Sequence, residues 1–575
     1  MKEHLWSTLV AQPYVYDTIS TPETIRLLRL DNENDGTISG HLLTTTFSNA
    51  PPYFALSYCW GKHKKDVAIL CDGRKLGVTP NLAQAIRRLQ ELSSEAHEWD
   101  LVSKWFWIDQ VCINQQNTDE RSGQVRLMGP IYAKAIRTLI WLGPAYGLCH
   151  LAWTLVDQIY DAFRKENPDA AYLSDINIRL YSSSYHASCG LPSWDDDLWK
   201  HLRKLMQAPW FSRVWVIQEV AVSQQDPIIL HGNHVYPWYR LGWASSWLRR
   251  VGFSRLDHIP NQVLNVDTIS NLRRSQVRWK LQSILMATSG KFGATDPRDK
   301  IFGLLGLAAE TEQQTSWPVA LLPNYRRDVA QVYREATKFL ISECQNLAIL
   351  SRTLPHPNRI TQSFRPKSTP AMDSWVSNWS ILGEATQPKG LYWITYHSGG
   401  GGTDLGFPAN YKAAADLPTS IVATADQRML HIRGLRVDTV VSTSSFGGGF
   451  TMLLHDYSAS RQTSKESKLS SKSERRTPLA KFLLMLASAA RKPLFLRYWH
   501  LAMEKCKGVT PADLIDAFIK STTADQFHLA GSNSEQIRKD GCAYLLSQLQ
   551  VAREREIAAW LMLMIVFLRA SNPPT

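Results

Sequence analysis

The stretch from Tyr53 to Gly143 constrains the fold more than any other part of this chain. It holds three short runs of almost continuous apolar and aromatic side chains: YFALSYCWG at Tyr53–Gly61, WFWIDQVCI at Trp105–Ile113 and RTLIWLG at Arg137–Gly143. Strands that are apolar on successive residues are covered on both faces, as in a parallel sheet between helices. The intervening segments have helical spacing. Leu82, Ile86, Leu89 and Leu92 share one face of a helix opened by Thr79 as N-cap and Pro80 as first helical residue. Asn117 caps a second helix whose inner face is Val125, Met128, Ile131 or Tyr132, and Ala135. Pro130 predicts a kink or early break there, because its ring clashes with the carbonyl of Arg126. The pattern is a doubly wound α/β half-sheet with right-handed crossovers. Ligands in such sheets gather beyond the carboxyl ends of the strands, here the Ser57–Gly61 turn and Asp109–Gln115.

The rest of the chain divides by composition into an N-terminal extension (1–52), the α/β domain (53–223), a helical region (224–340), a mixed α/β region (341–457), a basic disordered linker (458–477) and a C-terminal helical region (478–575). Within this frame, PWFSRVWVIQEVAVS at Pro209–Ser223 reads as a helix with Phe211, Val214, Trp215, Gln218 and Val222 at helical spacing. DPRDKIFGLLGLA at Asp296–Ala308 opens with a cap and a first-turn proline, then buries Ile301, Leu304, Leu305 and Ala308. Strand signals and glycine return between Thr369 and Val441, including Gly399–Gly402 and the run from Met429. Ser458–Thr477 is polar and aperiodic, the composition of a disordered segment.

Charge and cysteine content exclude several classes. The net charge of +13 over 575 residues suggests a nucleic-acid partner until its position is read. Residues 458–507 alone hold 12 Lys plus Arg against 3 Glu, so the remainder is close to neutral and no nucleic acid is expected. Eight cysteines without a CxxC pair imply reduced thiols inside the cell. The first residues carry no secretory pattern. The longest apolar run, Ile557–Leu568, is 12 residues, short of the roughly 20 that cross a bilayer. A cytoplasmic protein without a transmembrane segment follows as the expectation. There is no Walker loop, GxGxxG, GxSxG or HExxH. His231 and His234 enclose Gly232 and Asn233, which reads as a turn rather than a zinc site, and no metal is expected.

Six blocks in order, YFALSYCWG, NLAQAIRRL, WFWIDQVCINQQNTDERSGQVRLMGPIYAKA, IWLG, PWFSRVWVIQEV and DPRDKIFGLLGLA, closely resemble the heterokaryon incompatibility domain of filamentous fungi. The resemblance is dense from Tyr53 to Ser223 and extends to the PNYRRDVAQVYREATKFL and SWVSNW segments. It implies non-self recognition at cell fusion and programmed cell death, with other incompatibility proteins as partners and self-association as the switch. The glycine-rich ending of longer family members is not recognisable in the last 130 or so residues. The family is also similar in fold to Toll-interleukin receptor modules, some of which hydrolyse NAD. Trp107–Asp109 matches their aromatic-Ile-Asp strand, and Trp215–Glu219 resembles their Trp-x-x-x-Glu helix, whose glutamate is catalytic. NAD then enters as a substrate, and no resident cofactor is implied.

Each candidate residue has two readings. Cleaving the nicotinamide bond passes through an oxocarbenium-like state that one carboxylate can stabilise, and Glu219 would supply it; alternatively Glu219 pairs with Arg213 in a buried polar network. Asp109 contacts a ligand at the strand end, or fixes the following loop by accepting backbone N–H groups. Ser57 lies in the strand-end turn. Trp60 stacks on a ring or packs in the core, as does Tyr58. Arg121 meets a phosphate at a helix N-terminus or sits in a salt bridge, and Glu120 completes a cap with Asn117. Arg298 bridges a neighbouring carboxylate, and Cys59 and Cys112 are small apolar fillers. A non-enzymatic interaction scaffold remains the alternative function.

Overall fold

The apolar runs form strands where they can be covered twice. The computed structural model describes residues 11–350 apart from short breaks, residues 372–380 and a few residues between 421 and 432. Its strands are β1 (Thr24–Leu30), β2 (Ser39–Thr46), β3 (Phe54–Tyr58), β4 (Val67–Cys71), β5 (Arg74–Val78), β6 (Trp105–Trp107), β7 (Thr138–Gly143), β8 (Ile228–His231) and β9 (His234–Pro237). They make one mixed sheet in the order β5-β4-β2-β1-β6-β3-β7-β8-β9. The expected parallel core is its centre: β3 pairs in parallel with β6 (Ala55 opposite Trp107) and with β7 (Ser57 opposite Ile140), and β7 with β8. Two strands ahead of Tyr53 join this sheet, β1 running antiparallel to both β2 and β6. The β4–β5 hairpin extends it beyond β2. A further pair, Ile421–Val422 with His431–Ile432, stands apart.

Side-chain alternation sorts the core into two faces. Ala55, Trp107, Ile140 and Ile229 face the helices Thr118–Lys134, Cys149–Glu166 and Val216–Ala221. Phe54, Leu56, Phe106, Leu139 and Trp141 face the helix Pro80–Ser94, whose Leu82, Ile86, Leu89 and Leu92 are all buried as the spacing predicts. Thr79 caps that helix by accepting from Leu82 N–H at 3.4 Å. Tryptophans carry much of the burial: Trp107, Trp199, Trp210, Trp238 and Trp247 are fully covered. At 150–250 Å² each, such a side chain contributes roughly 4–6 kcal/mol of gross hydrophobic stabilisation.

Three sequence expectations need correction. The run Trp105–Ile113 is a strand only to Trp107; from Asp109 to Cys112 it is a helical turn. Ile108 is extended, and its carbonyl accepts from both Val111 and Cys112, so the charged Asp109 opens the turn where a strand would have left it in the sheet. Of the kink or early break expected at Pro130, the break does not occur: the helix Thr118–Lys134 runs through it. Burial of Ile131 and Tyr132 immediately after the proline, with the Tyr132 hydroxyl donating to the Leu56 carbonyl at 3.0 Å, outweighs the lost hydrogen bond. The Pro209–Ser223 helix is split into a turn at Pro209–Ser212 and the helix Val216–Ala221. Between them Arg213 is extended and bridges Gly293.

Among the described residues no helix is long and apolar enough to cross a membrane. Ile557–Leu568, Gly399–Gly402, Ser458–Thr477 and everything from Pro478 onward lie outside the described residues.

Candidate functional site

Ser57 is the only hydroxyl-bearing residue among the four that precede Tyr58 in β3, and alternation places it on the face of Ala55, toward Val216–Ala221. It is completely buried. Its hydroxyl donates a short hydrogen bond to Oε2 of Glu219 and accepts one from the Trp210 indole at 2.8 Å. Glu219 is 4% exposed. Its backbone carbonyl accepts from the Thr138 hydroxyl at 3.0 Å, which ties its helix to β7. The strand end, the helix and Trp210 therefore fix the carboxylate from three directions.

Arg213 occupies the extended break before the glutamate helix and donates to the Tyr58 carbonyl. Beyond it, Asp109 accepts from the Trp60 indole at 2.8 Å, and the Lys65 ammonium sits 5.5 Å from the Trp60 ring centroid. Burial pushes Glu219 up to about 7; the Arg213 charge and the Ser57 hydrogen bond restrain that rise, and Asp109 adds to it. Burial likewise raises Asp109, against the pull of Arg213 and the Trp60 hydrogen bond. For Arg213 burial acts downward but the net shift is upward, led by Glu219 with Cys59 and Asp109 behind it. Tyr58, raised by burial and then by Asp109, has a buried hydroxyl that makes no hydrogen bond of good geometry, and Oδ1 of Asp109 is in the same position. Two carboxylates, one guanidinium and the Tyr58 phenol beside Asp109 thus meet at the carboxyl ends of β3 and β6. Placed together, these groups hold a carboxyl that burial raises toward the neutral range, where one side chain can serve as acid or base.

The structure brings Ser57, Trp60, Asp109 and Glu219 to one place. Arg121 is elsewhere: its guanidinium lies 3.8 Å from the centroid of Tyr325, beside Asp296 and Asp299. Asp109 fixes the following loop through its backbone carbonyl, which accepts from the Gln115 side chain at 2.8 Å, while its side chain meets Trp60. Glu120 takes the structural role in a different form. Asn117 caps with its own side chain, and Glu120 accepts from Asn114 N–H at 2.7 Å and pairs with Arg26 at 2.6 Å. Arg298 forms the expected bridge, to Asp296 at 2.7 Å. Burial pushes the Cys112 thiol up to about 12, so it is a filler. Trp210 was invisible to motif reading, since nothing in PWFSR marks an indole aimed at a strand hydroxyl. A cavity of about 460 Å³ lies apart, between the helix Pro80–Ser94, the end of β7 and the β8–β9 turn, with Arg88, Trp141, Tyr146 and His234 in its wall and none of the glutamate cluster.

Against known proteins, the family model described as Heterokaryon incompatibility protein (HET) matches residues 53–219. The chain carries a heterokaryon incompatibility domain. The match begins at the residue before β3 and ends on Glu219, so it contains every member of the cluster. Heterokaryon incompatibility protein 6, OR allele, of Neurospora crassa is 27% identical over 429 residues, covering 64% of this chain and 60% of the relative. The chain thus aligns with about three-fifths of that protein's length. No solved structure matches the chain. The matched residues supply β3 to β7 of the mixed nine-stranded sheet, and β1, β2, β8 and β9 come from outside them.

Proposed function

We propose that this protein acts in fungal non-self recognition, and that its heterokaryon incompatibility domain signals cell death by hydrolysing the nicotinamide–ribose bond of NAD. The observation that carries this reading is the buried Glu219 carboxyl, raised to about 7 and aligned by the Ser57 hydroxyl at the carboxyl end of a parallel strand. Ionised, it would stabilise the positive charge that develops on the ribose as nicotinamide leaves. The parallel order β6-β3-β7-β8 with the site at β3 is compatible with the wound sheet of Toll-interleukin receptor modules. Trp60 and Tyr58 would bound a ring-binding wall, and Asp109 would orient it. At 4% exposure the glutamate is closed off, which suits an effector that is silent until self-association opens the strand-end turn in the cytoplasm. Its partners would be other incompatibility proteins.

The same closure favours the second reading, a non-enzymatic scaffold in which Ser57, Trp210, Arg213 and Glu219 form a structural network. The two separate in one experiment. Full-length protein, concentrated until it self-associates, is incubated with NAD and the nicotinamide released is followed by chromatography, beside Glu219→Gln. Release by the wild type, with a loss of about a hundredfold or more in the variant, supports hydrolysis. NAD left intact by the associated wild type rejects it in favour of the scaffold.

A further inference from the structure

The family match stops at Glu219, but beside Thr138 and Ser57, which lie inside it, further groups that hold the glutamate helix come from beyond it. The carbonyl of Phe211 accepts from Asn265 at 2.9 Å, Val214 N–H donates to the Gly293 carbonyl at 2.9 Å, and Arg273 donates to the Val220 carbonyl at 3.1 Å. The most direct of these links starts at Asp299. Its Oδ2 accepts from the Trp215 indole at 3.0 Å, and its Oδ1 from the Tyr325 hydroxyl at 2.6 Å. Trp215 is the N-cap residue of Val216–Ala221, and its carbonyl accepts from Glu219 N–H at 3.3 Å. Two hydrogen bonds therefore join Asp299 to the backbone of Glu219.

Two glycines let this segment approach the helix. A Cβ at Gly303 would lie 3.3 Å from Val214 Cγ1 and 3.4 Å from Trp215 Cδ2. A Cβ at Gly306 would lie 2.5 Å from Oε1 of Gln218 and 3.0 Å from Cα of Gly129. The second contact places Asp299–Leu307 against both the glutamate helix and Thr118–Lys134, leaving little room to shift one without the other. Arg121, over the Tyr325 ring, and Asp296 complete the surroundings of Asp299.

We infer that Asp299 is a positioning residue for Glu219, acting through the Trp215 indole, so that the segment after residue 290 sets the orientation of the carboxyl in the site. This rests on the hydrolytic reading for its effect on rate, and on the geometry alone for its effect on the carboxyl. An Asp299 that only stabilised the fold would change melting temperature and leave the carboxyl's titration alone.

The test uses full-length Asp299→Ala, Asp299→Asn and Trp215→Phe, together with the double variant Asp299→Ala/Trp215→Phe. The Glu219 midpoint is read by NMR of carboxyl-¹³C glutamate, assigned through Glu219→Gln, and NAD turnover is measured in parallel. Asp299→Ala and Trp215→Phe are each expected to move the midpoint by about one pH unit and to lower kcat by about tenfold with KM little changed. Asp299→Asn, which keeps one acceptor oxygen for the indole, should restore most of both, and the double variant should be no worse than either single one. An unchanged midpoint in folded Asp299→Ala, or single effects that add in the double variant, overturns the inference. Should Asp299→Ala not fold, Asp299→Asn and Trp215→Phe decide by the same midpoint. If the wild type leaves NAD intact, the hydrolytic reading fails and the midpoint still decides the positioning role.

Discussion

Two buried glutamates of this domain, Glu120 and Glu219, are held in opposite ways. Glu120, with 5% of its side chain exposed, receives the guanidinium of Arg26 on both oxygens, at 2.6 and 3.2 Å, and the backbone N–H of Asn114. Glu219, 4% exposed, has one hydroxyl on one oxygen and a guanidinium that is committed to the Tyr58 carbonyl. Burial alone therefore does not mark a functional carboxylate. What distinguishes the two is how completely the charge is answered: Glu120 meets a guanidinium on both oxygens and a backbone N–H, whereas burial pushes Glu219 up to about 7.

The two glutamates should differ most in what their loss does to stability. Removing one partner of a buried ion pair leaves the other charge uncompensated, so Glu120→Ala should lose about 3–5 kcal/mol, read as a fall in the urea midpoint at neutral pH. Arg26, 1% exposed and also bonded to the carbonyls of Cys112 and Asp17, would be the stranded charge. Glu219→Gln should instead be neutral or stabilising above pH 7, because it removes a carboxylate whose ionisation the fold resists. An equal loss in both variants would show that the two glutamates are both structural pins.

Much of this contrast was out of reach of the sequence, and the reasons are physical. The parallel core was legible because apolar runs such as YFALSY and RTLIWLG have no other stable use. Ser57 and Asp109 could be placed at strand ends for the same reason. Trp105–Ile113 misled because the run is apolar apart from Asp109 and Gln110, while the switch to a helical turn depends on Asp109 and the carbonyl of Ile108. The charged partner of Glu120, Arg26, comes from β1, 94 residues away, where the pattern TIRLLRL does not alternate. Arg26 and Trp210 are found only once the sheet has been closed, since no local pattern says which buried group a long side chain reaches. The grip of Asp299 on Trp215 spans 84 residues and is of the same kind.

Glu219 should also make stability depend on pH. Glu219 has an ordinary value of 4.5 and a folded value of about 7. Between those limits the folded chain keeps a proton that the unfolded chain has released. The stability from this group is therefore complete below about pH 4.5 and is lost as pH rises through about 7, a fall of about 3 kcal/mol. Other buried acids, Asp109 and Asp226 among them, are raised in the same sense, so the informative quantity is the difference between wild type and Glu219→Gln. That difference should grow steadily against the wild type from pH 4.5 to 8 in urea titrations and then level off. A constant difference across the range would mean that Glu219 is as well compensated as Glu120.

The smallest expected effect isolates the one hydrogen bond that Glu219 does receive. Ser57 donates to the carboxylate and so favours its ionised form, opposing the upward push of burial. Ser57→Ala removes that donor and strands the Trp210 indole, while adding no bulk to a position that is fully covered. The Glu219 midpoint should move upward, by about half to one unit, and any activity that needs the carboxylate should have its alkaline rise displaced by the same amount. The stability change should be modest, about 1–2 kcal/mol, because both the indole and the carboxyl lose a partner inside the core. The direction is what matters: a midpoint that stays in place or moves down would mean that the hydroxyl points its proton elsewhere, and that burial, Arg213 and Asp109 set the ionisation of Glu219 without it.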